Sequence, residues 1–364
     1  MSIFSGKKVL VTGHTGFKGS WLALWLRELG AEVYGLSNGE VSSPSNYSVC
    51  NITDFVREEL FNIIDAEKVE NFILDLQPDF VFHLAAQALV RESYKNPLET
   101  ISTNVVGTSN ILNALIKLQK KVVAIMITSD KAYDNVEWVW GYRETDRIGG
   151  KDPYSASKGM AEIAIRSYYE SFLKNIPNIR LGITRAGNVI GGGDWATDRI
   201  VPDCVVAWSK GETVQIRNPY ATRPWQHVLE PLSGYIALAN NLFQSDKNNG
   251  QAFNFGPSAD TSYSVEQLII EMSKTWSNVK WSIDNEKSRN FHEAGLLKLN
   301  CDKALYNLDW KPTLHFNEVV EMTISWYKNY YVSQKSMTDF TIKQINQYCE
   351  IAEKRTLSWI NDVK

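Results

Sequence analysis

The sequence predicts an α/β protein, with a doubly wound parallel sheet and a smaller mixed α/β lobe towards the C-terminus. Three observations lead to this fold class. Short apolar runs alternate with amphipathic segments between residues 8 and 128, which is the order that parallel strands and crossover helices produce. A glycine-rich turn follows the first apolar run, and the alternation loosens after about residue 187.

The first elements alternate regularly. Strand 8–12 is a short apolar run, typical of a strand that is buried on both faces of its sheet. Helix 20–29 has apolar residues at helical spacing and stops before Gly30, a residue type that commonly ends helices. Strand 32–36 is the next apolar run. Residues 56–76 read as one helix that a proline closes.

The alternation then continues with strand 79–84, helix 97–117 and strand 122–128. Helix 153–173 and strand 180–185 complete the predicted sheet domain. Right-handed crossovers between parallel strands account for helices of this length.

The chain divides into three predicted parts. A dinucleotide-binding domain covers 1–186, and 228–256, with a helix at 229–243, returns to it. A smaller second lobe takes 187–227 and 257–334. The last residues, 335–364, form a C-terminal helical arm that packs on the fold or makes an interface.

Composition excludes several function classes. The 364 residues are 44% hydrophobic and 22% charged, with 38 basic against 41 acidic side chains, so neither nucleic acid nor an anionic membrane is expected as a partner. No apolar run reaches the roughly 18 residues of a membrane span, and the N-terminus lacks an apolar targeting region. We therefore expect a soluble, cytoplasmic protein. The four cysteines are far apart and form no CxxC or Cys/His cluster, so no metal site is predicted.

The glycine-rich segment 13–19 indicates a dinucleotide site. It lies between the first strand and the first helix, where glycines let the backbone approach a pyrophosphate at the helix N-terminus. The spacing GxxGxxG in this place is typical of a Rossmann-type domain. The residue that discriminates NAD from NADP usually ends the second strand. Residues 35–38 offer neither a carboxylate nor an arginine there, so these residues select neither NAD nor NADP.

A YxxxK motif at Tyr154 and Lys158 indicates the chemistry. Asp152 is a plausible N-cap and Pro153 a plausible first helical residue, so tyrosine and lysine share one helix face a turn apart. A lysine ammonium near a phenol lowers the phenol's pKa from its usual value of about 10. Such a tyrosine can take a proton from an alcohol while hydride leaves the same carbon. By itself the motif also occurs by chance in many helices.

Residues 128–131 follow a buried strand directly with four polar side chains. Ligands of open α/β sheets bind beyond the carboxyl ends of strands, so these side chains are aimed at the predicted cleft. The alternative is a solvated loop with an Asp/Lys ion pair.

Together these motifs resemble the extended short-chain dehydrogenase/reductase family, and within it the nucleotide-sugar 4,6-dehydratases, nearest to their CDP-glucose branch. The glycine turn and YxxxK are shared by the wider family. The stretches 9–22, 128–135 and 217–235 are specific to that branch. The matching stretches are 9–22, 82–97, 128–135, 152–162, 184–195, 217–235, 253–257, 292–300 and 308–312.

The resemblance implies a redox-neutral dehydration with bound NAD. Tyr154 would take the proton of the sugar 4-hydroxyl, with Ser129 hydrogen-bonded to that hydroxyl and Lys158 holding the nicotinamide ribose. Lys131 stands where related dehydratases often carry a glutamate, so it would remove the C5 proton as a neutral amine. Asp130 would protonate the departing 6-hydroxyl.

The resemblance also implies binding residues. Arg223 would hold the substrate pyrophosphate with Asn188, while Arg199, Arg217 and His292 are secondary candidates. At the adenine, Asn51 with Ile52 stands where many relatives have an aspartate. Relatives pair through helices corresponding to 97–117 and 153–173, so a homo-oligomer, a dimer or a tetramer, is expected. The remaining cofactor contacts would be Gly13, His14, Thr15, Gly16, Phe17, Lys18, Gly19, Leu84, Ala85, Ala86, Gln87, Asn104, Thr128 and Arg185.

Two other functions remain open at this point. A 4-epimerase or 4-dehydrogenase acting on a GDP- or UDP-linked sugar would keep Tyr154 and Lys158 but would not need Asp130 and Lys131. A cofactor-binding structural or regulatory protein could use the same fold, because fold alone does not determine function. The intact set of Ser129, Tyr154 and Lys158 argues against that last possibility.

Overall fold

A seven-stranded, fully parallel sheet forms the centre of the molecule. The computed structural model describes residues 2–197, 199–216, 218–258, 261–283, 296–333 and 336–362. Its strands are β1 Lys8–Thr12, β2 Glu32–Ser37, β3 Arg57–Leu60, β4 Phe80–His83, β5 Val122–Ile127, β6 Ile179–Ala186, β7 Val189–Ile190, β8 Val214–Ile216, β9 Thr222–Arg223, β10 Gln226–His227, β11 Ala252–Phe255, β12 Tyr263–Ser264 and β13 Trp281–Ile283.

Helices cover both faces of the sheet. A π-helical turn at Ser102–Gly107 joins two of them into one continuous helix, as the predicted helix 97–117 requires. The helices are α1 Phe17–Glu28, α2 Asn46–Val49, α3 Ala66–Leu76, α4 Val90–Lys95, α5 Pro97–Ile101, α6 Thr108–Ile116, α7 Pro153–Ser171, α8 Ile200–Ser209, α9 Leu229–Gln244, α10 Val265–Ser273, α11 Asp302–Leu308, α12 Phe316–Lys328 and α13 Met337–Lys354.

The strand order is β11-β6-β5-β4-β1-β2-β3. Strand β1 lies between β2 and β4, so the chain leaves it in one direction along the sheet and later continues in the other. Such a switch point opens a crevice at the carboxyl ends of the strands, where ligands bind. The predicted fold class, a Rossmann-type doubly wound sheet, is confirmed.

Two apolar layers hold the sheet. On one face α1 and α9 pack with the C-terminal helices, and the indoles of Trp21 and Trp25 are fully buried there. On the other face α3 and α6 cover the sheet with Ile165 of α7. The tryptophan-rich first helix is therefore core, because both of its indoles lie beneath the sheet and away from solvent.

The prediction of one helix over residues 56–76 is wrong. Residues Arg57–Leu60 form the edge strand β3, which pairs in parallel with β2, and the helix begins only at Ala66. Strand β3 consists of an arginine, two glutamates and a leucine and is largely exposed. An edge strand of this kind has no apolar alternation, so only its pairing with β2 makes it a strand.

After β6, part of the chain joins the large sheet and part forms small strand pairs outside it. Strand β11 pairs in parallel with β6, and α9 packs on β5 and β6. Short strand pairs β7–β10, β8–β13 and β9–β12 lie outside the large sheet. Helix α13 packs on α1 and α12. The exact domain boundaries stay a prediction. Among the helices in the described ranges, none has the length and apolar character needed to cross a membrane.

Candidate active site

The glycine turn closes tightly onto the sheet. Gly13 has φ +74°, and a Cβ there would lie 2.8 Å from the backbone nitrogen of Ala85. A Cβ on Gly19 would lie 2.1 Å from the carbonyl oxygen of Gly13, so the first turn of α1 can pack on the loop only without a side chain. Glycine is therefore required at both positions.

The start of α1 fits a pyrophosphate. Its N-cap is Gly16, and no side chain caps this helix end in the described structure. The first amides of a helix have no intrahelical acceptor, and the helix dipole makes that end favourable for an anion. The side chains around the turn hold its shape, since Thr15 Oγ1 lies 2.6 Å from Ser37 Oγ and donates to the Gly39 carbonyl at 2.7 Å.

The polar residues after β5 form a short 3₁₀ turn, and we call residues 129–131 the catalytic turn. The Ser129 hydroxyl donates to Asp130 Oδ1 at 2.9 Å and accepts the backbone N–H of Lys131 at 3.2 Å. Asp130 is buried, and its Oδ2 lies 3.3 Å from the place that a Cβ on Gly187 would take. Lys131 is half-buried. A side chain at position 187 would therefore press on the Asp130 carboxylate.

Helix α7 presents Tyr154 and Lys158 to the same place. Asp152 caps the helix by accepting the Ser155 N–H at 2.9 Å, and Pro153 occupies its first turn. The backbone N–H of Tyr154 donates to Ser93 Oγ at 3.1 Å, which ties the helix start to α4. Helix α7 packs on the catalytic turn, and Ser129 acts on the pKa of the Tyr154 phenol, so the structure brings the YxxxK motif and the catalytic turn together.

The expected low pKa of Tyr154 is not what the structure shows. Burial raises the pKa of this phenol to about 12, although the hydrogen bond from Ser129 and the charge of Arg199 lower it. Burial also lowers the pKa of the Lys158 ammonium to about 8, while the nearby Glu162 carboxylate opposes that decrease. Both shifts follow from loss of hydration by the charged form.

Lys18 belongs to the same group of charges. Its side chain leaves the glycine turn, is half-buried, and has a pKa lowered by burial to about 8. The Asp130 carboxylate raises that pKa, whereas Arg199 and Lys158 lower it. The motif predicted Lys18 only as part of the cofactor loop, because nothing in a linear spacing shows that its amine reaches the charges of the catalytic turn.

Arg199 is anchored beside the cleft. Its Nη1 lies 2.5 Å from Asp194 Oδ2, and its charge acts on both Tyr154 and Lys18. Asp194 is buried, and its backbone exchanges hydrogen bonds with the Tyr327 hydroxyl. The sequence reasoning missed Asp194, although it directly follows the three glycines of the loop at 191–193.

The segment 84–87 after β4 faces the glycine turn and is held from behind. Asn104 is buried in the π-helical turn; it accepts the Gln87 N–H at 2.8 Å and donates to the Gln87 carbonyl at 3.0 Å. It also donates to Ser157 Oγ on α7 at 2.8 Å. The side-chain amide of the predicted cofactor residue Asn104 is therefore hydrogen-bonded within the protein, where it positions segment 84–87.

Three predicted cofactor residues lie elsewhere. Ile52 is buried in the core beneath the sheet, and Asn51 is exposed in the turn that precedes β3, next to the C-terminal segment 336–338. The Arg185 guanidinium is buried in an ion pair with Glu162. Contact of these three residues with the cofactor stays a prediction.

Asn62 and Ile63 follow the carboxyl end of β3, at the edge of the sheet where ligands of this fold bind. Asn110 donates from Nδ2 to the Ile63 carbonyl at 2.9 Å, which fixes this loop on α6. Assignment of residues 57–60 as a strand would place these two residues at that edge of the sheet.

The predicted substrate residues are only partly described. Asn188 is half-buried and comes two residues after β6, next to the Gly187 that touches Asp130. Arg223 ends β9, half-buried, and its Nη1 donates to the Thr222 carbonyl at 2.8 Å. Arg217 and His292 lie outside the described residues. Within the described ranges, no group of three or more His, Cys, Asp or Glu side chains could hold a metal ion.

This architecture defines a class, the extended short-chain dehydrogenases/reductases that act on nucleotide sugars. The parallel sheet, the glycine turn at its switch point and a tyrosine–lysine pair beside the catalytic turn are its marks. Within the class, the chain belongs to the GDP-mannose 4,6 dehydratase family, whose model matches residues 10–323.

Individual relatives agree with this assignment. The chain is 43% identical to a CDP-glucose 4,6-dehydratase of Salmonella typhimurium, over 95% of this chain and 97% of that protein. It is 24% identical to a UDP-glucose 4-epimerase of Mycoplasma genitalium, over 89% and 97% respectively. The crystal structure of a Thermotoga maritima UDP-glucose 4-epimerase has the same fold, with a TM-score of 0.75 and 23% identity over 89% of this chain and 99% of that one.

Proposed function

We propose that this protein is a hydro-lyase that converts CDP-D-glucose to CDP-4-keto-6-deoxy-D-glucose, with NAD as its cofactor. The observation that carries the proposal is the catalytic turn lying against Tyr154: an acid–base pair stands beside an oxidation site. The 43% identity to a CDP-glucose 4,6-dehydratase supports the nucleotide and the sugar.

Tyr154 takes the proton of the sugar 4-hydroxyl. Its neighbour Ser129, which acts on the pKa of the phenol, orients that hydroxyl. Because burial raises the phenol's pKa to about 12, Tyr154 is protonated at neutral pH until substrate and cofactor bind. The deprotonated form of a phenol with so high a pKa is a strong base. An alcohol is a weak acid, so a base of this strength is suited to take its proton.

The cofactor site is built from this chain's backbone and from Lys158. The uncapped N-terminus of α1 would bind the pyrophosphate, and Lys158 would bind the nicotinamide ribose. When bound, NAD supplies the acceptor for the C4 hydride, the source of the hydride returned to C6, and a positive ring charge. Asn62, which is exposed after β3, would contact the adenine.

Elimination of water falls to the catalytic turn. Lys131 removes the C5 proton that a 4-ketone acidifies, and Asp130 gives a proton to the departing 6-hydroxyl. The C6–O bond breaks as the C5–C6 double bond forms, so water leaves and the balance of protons closes. Gly187 leaves room for Asp130 to face the sugar.

Anionic substrate groups meet a set of cations at the cleft. Arg223 would bind the pyrophosphate with the fork geometry that suits phosphate oxygens. Arg199, fixed by Asp194, and Asn188 stand closer to the catalytic turn. Arg217 and His292 remain candidates from the sequence.

The test is incubation of the purified protein with CDP-glucose, followed by NMR of the product in D₂O. We expect a 4-keto-6-deoxy sugar that carries deuterium at C5, because the C5 proton is exchanged during elimination. Turnover of a GDP- or UDP-linked sugar instead, without a 6-deoxy product, would identify a 4-epimerase or 4-dehydrogenase and rule out the roles given to the catalytic turn.

The protein is also proposed to act as a homo-oligomer in the cytoplasm. Helices α4 to α7 expose apolar side chains on one side of the sheet, and Leu98 and Ile163 are 78% and 61% accessible. An exposed apolar face of this kind favours pairing with a second copy. Sedimentation should therefore give a dimer or tetramer, and Leu98→Glu should shift it towards monomer; a wild-type monomer would exclude the pairing.

A further inference from the structure

A buried ion pair lies directly behind the catalytic turn. Glu162, on α7 one turn after Lys158, pairs with Arg185 at the end of β6, and both side chains are buried. Arg185 donates from Nε to Glu162 Oε1 at 2.7 Å and from Nη2 to the other carboxylate oxygen. Apolar residues of similar volume often stabilise a core as well as a buried ion pair, so stability alone does not explain these two residues.

The pair holds both ends of the catalytic turn. Thr128, the residue before the turn, donates from Oγ1 to Glu162 Oε1 at 2.5 Å. Tyr133, just after the turn's 3₁₀ helix, accepts a hydrogen bond from Arg185 Nη1 at 2.7 Å. The Arg185 guanidinium also lies 4.7 Å from the centre of the Tyr133 ring. One carboxylate and one guanidinium thus fix the chain on both sides of residues 129–131.

The far end of this network is anchored in the sheet. Tyr133 donates its hydroxyl hydrogen to Asn254 Oδ1 on β11 at 2.8 Å. Asn254 in turn donates to the carbonyls of Tyr142 and Asn300, at 2.8 and 3.0 Å. Each residue of this hydrogen-bond network, from Thr128 through the ion pair to Asn254, has a partner. A buried network whose polar groups are all satisfied is rigid.

We propose that Glu162 and Arg185 are positioning residues for the dehydration, holding the catalytic turn against α7 so that Ser129 and Asp130 meet Tyr154. The assay of this role rests on the proposed function, but the positioning itself does not. Neither residue touches the reacting atoms in this arrangement; each acts through Thr128 or Tyr133.

Glu162 has a second effect, on the charge of Lys158. Its carboxylate raises the pKa of that ammonium against the burial that lowers it to about 8. Two other titratable groups face Lys158, His83 on β4 and Lys18 in the glycine turn. Burial lowers the pKa of His83 to about 3, so this ring is neutral at working pH.

Glu162→Gln and Tyr133→Phe test the positioning role. We expect each to lower kcat roughly 100-fold with KM nearly unchanged, because a small displacement of the turn is costly. Glu162→Gln should also move the alkaline limb of the kcat profile down by about one pH unit, since Lys158 loses its opposite charge; Tyr133→Phe should not. The matched controls are Glu170→Gln, an exposed glutamate on α7, and Tyr169→Phe, whose hydroxyl binds the Asn249 carbonyl.

Hydrogen exchange provides a readout that needs no substrate. Backbone amides of residues 128–133 should exchange faster in both variants than in wild type and controls. A folded Glu162→Gln protein with wild-type kcat, pH profile and exchange would overturn the proposal. If that variant does not fold, Tyr133→Phe decides: unchanged kcat and exchange overturn it. If wild type does not dehydrate CDP-glucose, the proposed function fails, while the exchange result still tests the positioning.

Discussion

Single residues in this site have pKa values that their motif does not predict. Tyr154 and Lys158 occur in a spacing that suggests an acidified phenol, yet burial raises the pKa of the phenol to about 12 and lowers that of the lysine to about 8. In a cleft with little water, desolvation of each charged form outweighs the attraction between neighbours one helical turn apart. Tyr154 is therefore protonated at neutral pH, and its deprotonated form is a strong base.

Replacement of Lys131 by Met should separate oxidation from elimination. Tyr154 and Lys158 remain, so mixing the Lys131→Met protein with CDP-glucose should still reduce bound cofactor, and the absorbance of the reduced form should build up. Without the base, 6-deoxy product and deuterium at C5 should fall by about 10²- to 10⁴-fold. Tyr154→Phe is the matched control and should lose cofactor reduction as well. Full deuterium incorporation by Lys131→Met would mean that another group takes the C5 proton.

At the scale of elements, the turn between β1 and α1 serves two separate purposes. Gly19 allows the helix to pack on the loop, since a Cβ there would lie 2.1 Å from the Gly13 carbonyl oxygen. Gly16 is the helix N-cap, where a Cβ would meet that oxygen at 3.3 Å, at the helix end that is proposed to bind the pyrophosphate. The same motif thus includes one glycine needed for folding and one needed for binding.

Alanine substitutions should separate these two purposes. Gly19→Ala should lower the free energy of unfolding by about 1–3 kcal/mol, as overpacking of a core does, measured by denaturant unfolding without cofactor. Gly16→Ala should cost less than Gly19→Ala in that experiment but should weaken NAD binding by about tenfold or more, measured by calorimetry. Equal stability loss in the two variants would contradict this division of roles.

At the scale of the whole molecule, one buried carboxylate joins the sheet domain to the C-terminal arm. Glu230, at the start of α9, accepts the backbone N–H groups of Thr313 and Leu314 at 2.9 and 2.6 Å and the hydroxyl of Tyr348 on α13 at 2.9 Å. Burial raises the pKa of Glu230 to about 7, against those hydrogen bonds, which lower it. The arm predicted from residues 335–364 therefore packs on the fold through a titratable group.

The stability of the protein should depend on pH through Glu230. The folded state binds this proton more tightly than the unfolded chain, whose glutamate pKa is 4.5. The resulting stabilisation is complete below about pH 4.5 and is lost as pH rises through 7, a change of about 3 kcal/mol at 1.36 kcal/mol per pKa unit. The difference in unfolding free energy between wild type and Glu230→Gln should follow this curve, and that for the exposed Glu350→Gln should be flat. A flat curve for Glu230→Gln would refute the assignment.

The sequence by itself determined the fold class and most of the helices and strands, and it predicts the nucleotide turn and the residues of the catalytic turn. These signals are local: apolar runs, glycine spacing and an i, i+4 pair act over a few residues, so they can be read along the chain. Only the tertiary structure made Arg57–Leu60 a strand, because its pairing with β2 involves residues far away in sequence. We consequently propose Asn62, rather than Asn51, at the adenine end of the cleft.

Tertiary structure also decided what the charged residues do. Arg185 is predicted to contact the cofactor, and its guanidinium donates four hydrogen bonds within the protein, to Glu162, Tyr133 and the Glu144 carbonyl. Lys18 and Asp194 join the site only because separate loops converge there. Residue types and their spacing indicate which chemistry is possible. Burial and partners determine the protonation state and position of each group, and both depend on contacts between distant parts of the chain.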